Sequence, residues 1–119
     1  MLKPRKHLPA YNDGILRVYR EERGRVTDFG APRNVYGIAD MELVARLAYR
    51  VEGCREQDFE FAERASFQLT LKVSTQRVGG IDAGCKVVIG RTLFDIGHVD
   101  PSRTELYFYL QEVGEVDDA

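Results

Sequence analysis

Long apolar runs are missing from this chain of 119 residues: no stretch approaches the ~20 residues that a membrane-spanning helix needs. Cysteine is scarce. Cys54 and Cys85 stand 31 positions apart, with no second Cys or His at ligand spacing near either. Zinc is therefore not supported, and the two read as unpaired, partly buried thiols more readily than as a disulfide. The start, Met1-Leu2-Lys3-Pro4-Arg5-Lys6-His7, is basic but has no apolar run behind it, which predicts no secretory signal. A mass of 13.5 kDa builds one compact domain and leaves no room for separate cofactor and substrate domains. The expectation is a small cytosolic module.

Catalytic patterns are also lacking. There is no Gly-rich phosphate loop, no nucleophile elbow, and no HExxH or CxxC motif. Histidine occurs only as His7 and His98. Asp95, His98 and Asp100 lie close enough in sequence to suggest a metal or acid–base cluster. On a regular strand, however, Asp95 and His98 point to opposite faces, and a surface His beside turn carboxylates is commonplace. No cofactor, metal or catalytic residue is expected.

Charge is balanced but unevenly placed. The net charge is −2. Residues 112–119 carry Glu112, Glu115, Asp117 and Asp118 without a Lys or Arg, so the rest holds 17 basic against 15 acidic residues. That body is too neutral for a general DNA-binding surface, and the acidic end reads as a frayed, solvated tail. Of the 17 basic residues 13 are Arg, the side chain suited to bidentate and stacked contacts.

The sequence pattern divides into an arm at 1–13, a β-barrel domain at 14–113 and the tail at 114–119. Pro4, Pro9 and the turn-like Asn12-Asp13-Gly14 mark the arm. Gly14 to Arg20 reads as a strand, and Glu21 to Asp40 as a long loop. From Met41 to Glu52, Leu43, Ala45, Leu47, Tyr49 and Val51 alternate with Arg46 and Arg50, which favours a half-buried strand over a helix. Glu56 to Ala65 predicts a short helix with Phe59, Ala62 and Ala65 on one stripe, acidic at its start and with Arg64 in its last turn. Ser66 to Thr75 predicts a strand with Phe67, Leu69, Leu71 and Val73 facing inward. Cys85–Ile89 and Thr92–Ile96 form a hairpin about Gly90-Arg91, Asp100-Pro101-Ser102 makes a turn, and Thr104–Gln111 is the last strand. Five or six short antiparallel strands with one helix between them would leave exposed edges as an open sheet. Closure into a small, mostly β barrel is the expected fold.

Two surface features stand out. Tyr107 and Tyr109 share a face of the last strand with Lys72 and Arg91 as possible neighbours. That pattern suits either stacking of a single-stranded nucleic acid or burial against a sheet or subunit. Arg17, Arg20, Arg23 and Arg25 cluster, but Glu21 and Glu22 interleave with them. An Arg-mediated protein contact suits this better than phosphate binding.

The second half has a specific order. A polar, acidic segment Glu52-Gly53-Cys54-Arg55-Glu56-Gln57-Asp58-Phe59-Glu60-Phe61-Ala62 runs into the strand Leu69–Val73. Ile81-Asp82-Ala83-Gly84 then precedes the hairpin Val88-Ile89-Gly90-Arg91-Thr92-Leu93-Phe94-Asp95-Ile96, followed by Val99-Asp100-Pro101 and Glu105–Leu110. This series resembles the head-closure and head–tail adaptor proteins of tailed phages, including the stopper of long-tailed phages and prophage copies. It covers residues 50–111, with a weaker match over Asn12–Tyr19. The hairpin has one extra residue before its aromatic, and residues 21–42 match poorly.

The resemblance implies a small barrel with a helix-bearing insertion and no covalent chemistry. Subunits would form a ring below the portal that seals the packaged DNA and offers a platform to the tail. Portal or adaptor proteins, tail proteins, packaged DNA and other copies of the chain are the implied partners, with no membrane. The subunit would be assembled in the host cytoplasm and end at the virion head–tail junction, and it could be monomeric alone. Arg55, Gln57 and Arg64 in the insertion Gly53–Ser66 are the candidate lumen or subunit contacts. Arg17, Arg20, Arg23, Arg25, Tyr107 and Tyr109 are the candidate partner interface. The alternatives are a minor tail or tail-completion protein and a small single-strand-binding barrel.

Overall fold

A computed structural model describes residues 10–21 and 41–116. Its elements are β1 (Gly14–Glu21), β2 (Met41–Glu52), α1 (Glu56–Arg64), β3 (Leu71–Gln76), β4 (Cys85–Ile89), β5 (Thr92–Pro101) and β6 (Glu105–Glu115). The six strands are antiparallel to their neighbours and close in the order β1-β2-β3-β6-β5-β4. The mostly β barrel with a helix between two strands is therefore present. No helix among the described residues is long and apolar enough to cross a membrane.

The interior is filled by residues of every strand: Leu16 and Val18, Tyr49, Val73, Val87, Phe94 and Ile96, then Leu106, Phe108 and Leu110. Each fully buried aliphatic or aromatic side chain of this kind contributes about 1.5–3 kcal/mol. β4 is apolar on both faces because Val88 packs outward with Tyr19, Leu93 and Val116 in a second cluster. A third cluster joins Ala62 of α1 to Leu69 and Tyr109 on the outer face of the barrel.

Three register shifts explain where simple alternation fails. Val18 pairs with Ala45 but Tyr19 with Leu43, so Val44 is an extra residue in β2. Val44 turns onto the core, and Leu43, expected inside, is 42% exposed. Val51, also expected inside, lies near the strand end and is about half exposed. Val113 is the extra residue of a second bulge, and Gly97 of a third, between Ile96 and His98. The third bulge lets β5 continue to Pro101, where a turn was expected at Asp100. The turn instead forms at Ser102, whose N–H donates to the Glu105 carbonyl at 2.8 Å.

The segment expected as one strand from Ser66 begins as a helix cap. Phe67 N–H donates to the Ala62 carbonyl and Ser66 N–H to that of Glu63, with Ser66 at φ 63°. Phe67 and Leu69 therefore lie outside the barrel beneath α1, and regular pairing starts at Leu71. Between them, side chains replace ladder bonds. Thr70 Oγ1 accepts the Glu112 N–H at 2.8 Å, and Gln111 Oε1 accepts the Gln68 N–H at 2.7 Å.

The C-terminal expectation needs correction. Glu112 and Glu115 belong to β6, and Val116 is buried with its N–H on the Arg91 carbonyl, so the barrel extends beyond residue 113. Asp117 and Asp118 lie outside the described residues. Of the arm, Tyr11 and Asp13 are tied down: Asp13 N–H donates to the Tyr49 carbonyl and its carboxylate accepts the Val51 N–H. The long loop expected over 21–40 falls outside the described residues beyond Glu21.

Two substitutions test these local arguments by thermal unfolding. Ser66→Gly relieves a left-handed conformation and is expected to raise stability by about 0.5–1 kcal/mol. Gly97→Ala places a methyl on the Phe67 ring and is expected to lower it by about 1–3 kcal/mol.

Candidate subunit and partner interface

Antiparallel pairing lays two polar rows across the outer face of four strands. One row is Arg50, Ser74, Tyr107 and Asp100; the other is Glu52, Lys72, Tyr109 and His98. Within the first, the buried Glu105 carboxylate gathers three donors. Tyr11 Oη lies 2.7 Å away, Tyr107 Oη 3.0 Å and Arg50 Nη2 3.4 Å. Burial, reinforced by the hydrogen bond to Glu105, pushes the Tyr11 pKa up to about 12. Glu52 accepts from Ser74 Oγ at 2.6 Å and from Arg50 Nε at 2.8 Å. Burial alone would raise Glu52, but those donors outweigh it and its carboxyl titrates below the usual range.

The second row holds α1. Asp58, the third helical residue, accepts the Arg55 backbone N–H at 2.9 Å, which closes half of a capping box. The same carboxylate takes Lys72 Nζ at 3.2 Å and Tyr109 Oη at 3.3 Å. Lys72 Nζ lies 4.9 Å from the centre of the Tyr109 ring and 5.7 Å from that of Tyr107. One turn on, Phe61 packs on His98 with ring centres 4.8 Å apart, and on Tyr109 at 5.8 Å. Burial raises the Asp58 pKa, but the Arg55 amide, Lys72 and Tyr109 overcome that and hold it low.

The helix therefore docks through Asp58, Phe61 and Ala62. Phe59, expected on the buried stripe, is half exposed instead. Only the side chains it meets decide this, because Phe61 rather than Phe59 reaches His98. Between α1 and the rows lies a cleft of about 480 Å³ whose lining includes Cys54, Arg55, Gln57, Asp58, Lys72 and Tyr109. Burial and the nearby Asp58 push the Cys54 thiol up, so it stays protonated and is a poor nucleophile at neutral pH. Both Cys54 and Cys85 are free.

The candidate residues divide accordingly. Arg55 and Gln57 meet at the cleft, while Arg64 lies at the far end of α1, roughly 13 Å along its axis. All three are exposed. Tyr107 and Tyr109 are not a free partner surface: Tyr109 is 9% exposed, and both hydroxyls bond inside the chain. Lys72 is their neighbour, as expected, whereas Arg91 sits in the β4–β5 turn at the other end of β6. Arg17 donates to Tyr19 Oη and the Gly90 carbonyl, and Arg20 to the Gly80 carbonyl. Arg23 and Arg25 lie outside the described residues.

The Gly97 bulge also overturns the expectation that Asp95 and His98 face oppositely. Both point outward, but Asp95 is paired with Lys86 at 2.6 Å and His98 packs edge-on against Tyr109 and tilted against Phe61. No group of three metal-ligating side chains occurs among the described residues. Glu105, Asp58, Tyr11, Arg50 and Glu52 escaped the sequence reading. Only Asp58 carried a signal, an acid in the first helical turn.

A pH series tests the clamp. Because the Asp58 pKa lies below its unfolded value, its contribution is full above pH ~4 and disappears as pH falls through the lower folded value. Asp58→Asn is expected to cost about 1–3 kcal/mol at pH 7. It should also flatten the acid limb of the melting-temperature profile. No protein-family model and no curated protein matches the chain.

Proposed function

We propose that the chain is a structural component of a tailed-phage or prophage connector. Its subunits form a ring below the portal that closes the DNA-filled head and receives the tail. The supporting observation is the insertion between β2 and β3. One face of α1 is locked to a closed barrel by Asp58, Phe61 and Ala62, while Arg55, Gln57, Phe59 and Arg64 are left outside it. A fixed helix with an unfilled outer face is what a ring subunit needs in order to reach a neighbour or a channel without refolding.

The order of elements agrees with the sequence resemblance: a helix-bearing insertion, the β4–β5 hairpin about Gly90, then a long last strand. Weak contacts repeated around a ring gain avidity once a template holds the copies together. The assembly uses protein contacts above and below, with portal and tail proteins, and meets packaged DNA only at the lumen.

Electron microscopy of induced lysates lacking the gene is the primary test. Leaking or empty heads beside finished free tails are expected. Normal virions would overturn the connector reading, and defective tails beside sealed heads would assign the chain to tail completion instead. Arg55→Glu and Arg64→Glu are expected to change stability by less than about 0.5 kcal/mol and to lower the fraction of DNA-filled heads. Full retention of DNA in both variants would remove these residues from the lumen or neighbour contact.

A further inference from the structure

Two surfaces of the barrel carry complementary features and lie on opposite sides of it. The first is the exposed face of α1, where Glu56, Glu60 and Glu63 recur at the helical spacing of four and three, beside Phe59 at 50% exposure. Three carboxylates in one row repel each other, and an exposed Phe among them has no partner in this subunit's core.

The second is the outer face of the β1–β2 pair. Ile15, 58% exposed, is paired with Ala48, and Arg17 directly with Arg46; exposed Leu43 follows. Opposed like charges weaken a ladder. Among the described residues neither guanidinium has a carboxylate partner, since Arg17 bonds Tyr19 Oη and the Gly90 carbonyl. The exposed face of α1 thus carries three carboxylates around an aromatic knob, with Arg64 beside Glu60 in its last turn, and the other face sets two guanidiniums beside an aliphatic patch.

Topology decides what such a pair can build. In the closed order β1-β2-β3-β6-β5-β4, β6 is three places from β1 in either direction. α1 is anchored over β3, β6 and β5 through Lys72, Tyr109 and His98, so it stands across the barrel from β1. A self-complementary patch would close a dimer. Different patches on opposite sides make a head-to-tail contact, which propagates and closes into a ring where the rotation allows.

We propose that α1 of one copy docks on the outer β1–β2 face of the next, with Phe59 against Ile15 and Ala48 and the glutamate row against Arg17 and Arg46. This deepens the ring reading by naming its subunit contact, and rests on that reading only for closure of the assembly.

The test is sedimentation of the full chain at millimolar concentration and about 50 mM salt, where exposed charges are little screened. Wild type is expected to associate reversibly and to dissociate as salt rises. Arg46→Glu and Glu60→Lys are each expected to raise the dissociation constant by about tenfold or more, and the double variant to restore most of it. Restoration shows that the single variants were folded. Association that persists in both single variants, or a double variant that stays weak, overturns this contact while leaving the ring reading to the lysate experiment. A wild-type chain that remains monomeric throughout overturns it as well.

Discussion

Closing a six-stranded sheet on itself requires its strands to tilt and slip past one another, and the rest of this structure follows from how that bend is made. Extra residues at Val44, Gly97 and Val113 supply it. Each shift resets which side chains face inward beyond it. Val44 turns in and Leu43 out. His98 comes to the outer face, where it meets Phe61, and Gly97 leaves room for the Phe67 ring. The bulge that curves the strand therefore also prepares the surface on which α1 is seated.

That surface is polar where a helix would more often be held by aliphatic packing. Lys72 and Tyr109 come into register only because β3 pairs with β6, and Asp58 meets them because it caps its own helix at the same time. One carboxylate thus links local helix formation to tertiary docking. Partly buried charge of this kind adds modestly to net stability, but removing one partner strands the other. The clamp consequently specifies where α1 sits more than it stabilises the barrel. A fixed position is what a helix needs if its other face is to meet a neighbour.

The same logic separates residues that hold the barrel together from those left on its surface. Tyr11, Tyr107, Arg50, Glu52 and Glu105 bond to each other or to Ser74, and no buried side-chain polar group among the described residues is left unpaired. Arg46, Arg55, Gln57 and the glutamates of α1 remain outside this network. Among the described residues, Arg17 and Arg46 thus share the outer β1–β2 face, while Glu56, Glu60 and Glu63 line the outer face of α1.

Period-two alternation in Leu71–Val73 and Leu106–Leu110, with the hairpin signal at Gly90-Arg91, was enough to read a β-rich chain that closes on itself, because those residues sit in unbroken ladders. The short helix was legible from its acidic start and its position between two strands. Exposure of Arg55, Gln57 and Arg64 was legible too, since charged residues on a short helix rarely lose their water. Alternation could not reveal the bulges, because an extra residue is defined only against the strand beside it. For the same reason the inward place of Val44, the outward place of His98 and the choice of Phe61 over Phe59 were decided by tertiary structure. The partners of Asp58 and Glu105 lie as far as 51 and 94 positions away in sequence. Local pattern determined which segments are strands and which is the helix; only barrel closure determined which side chains meet.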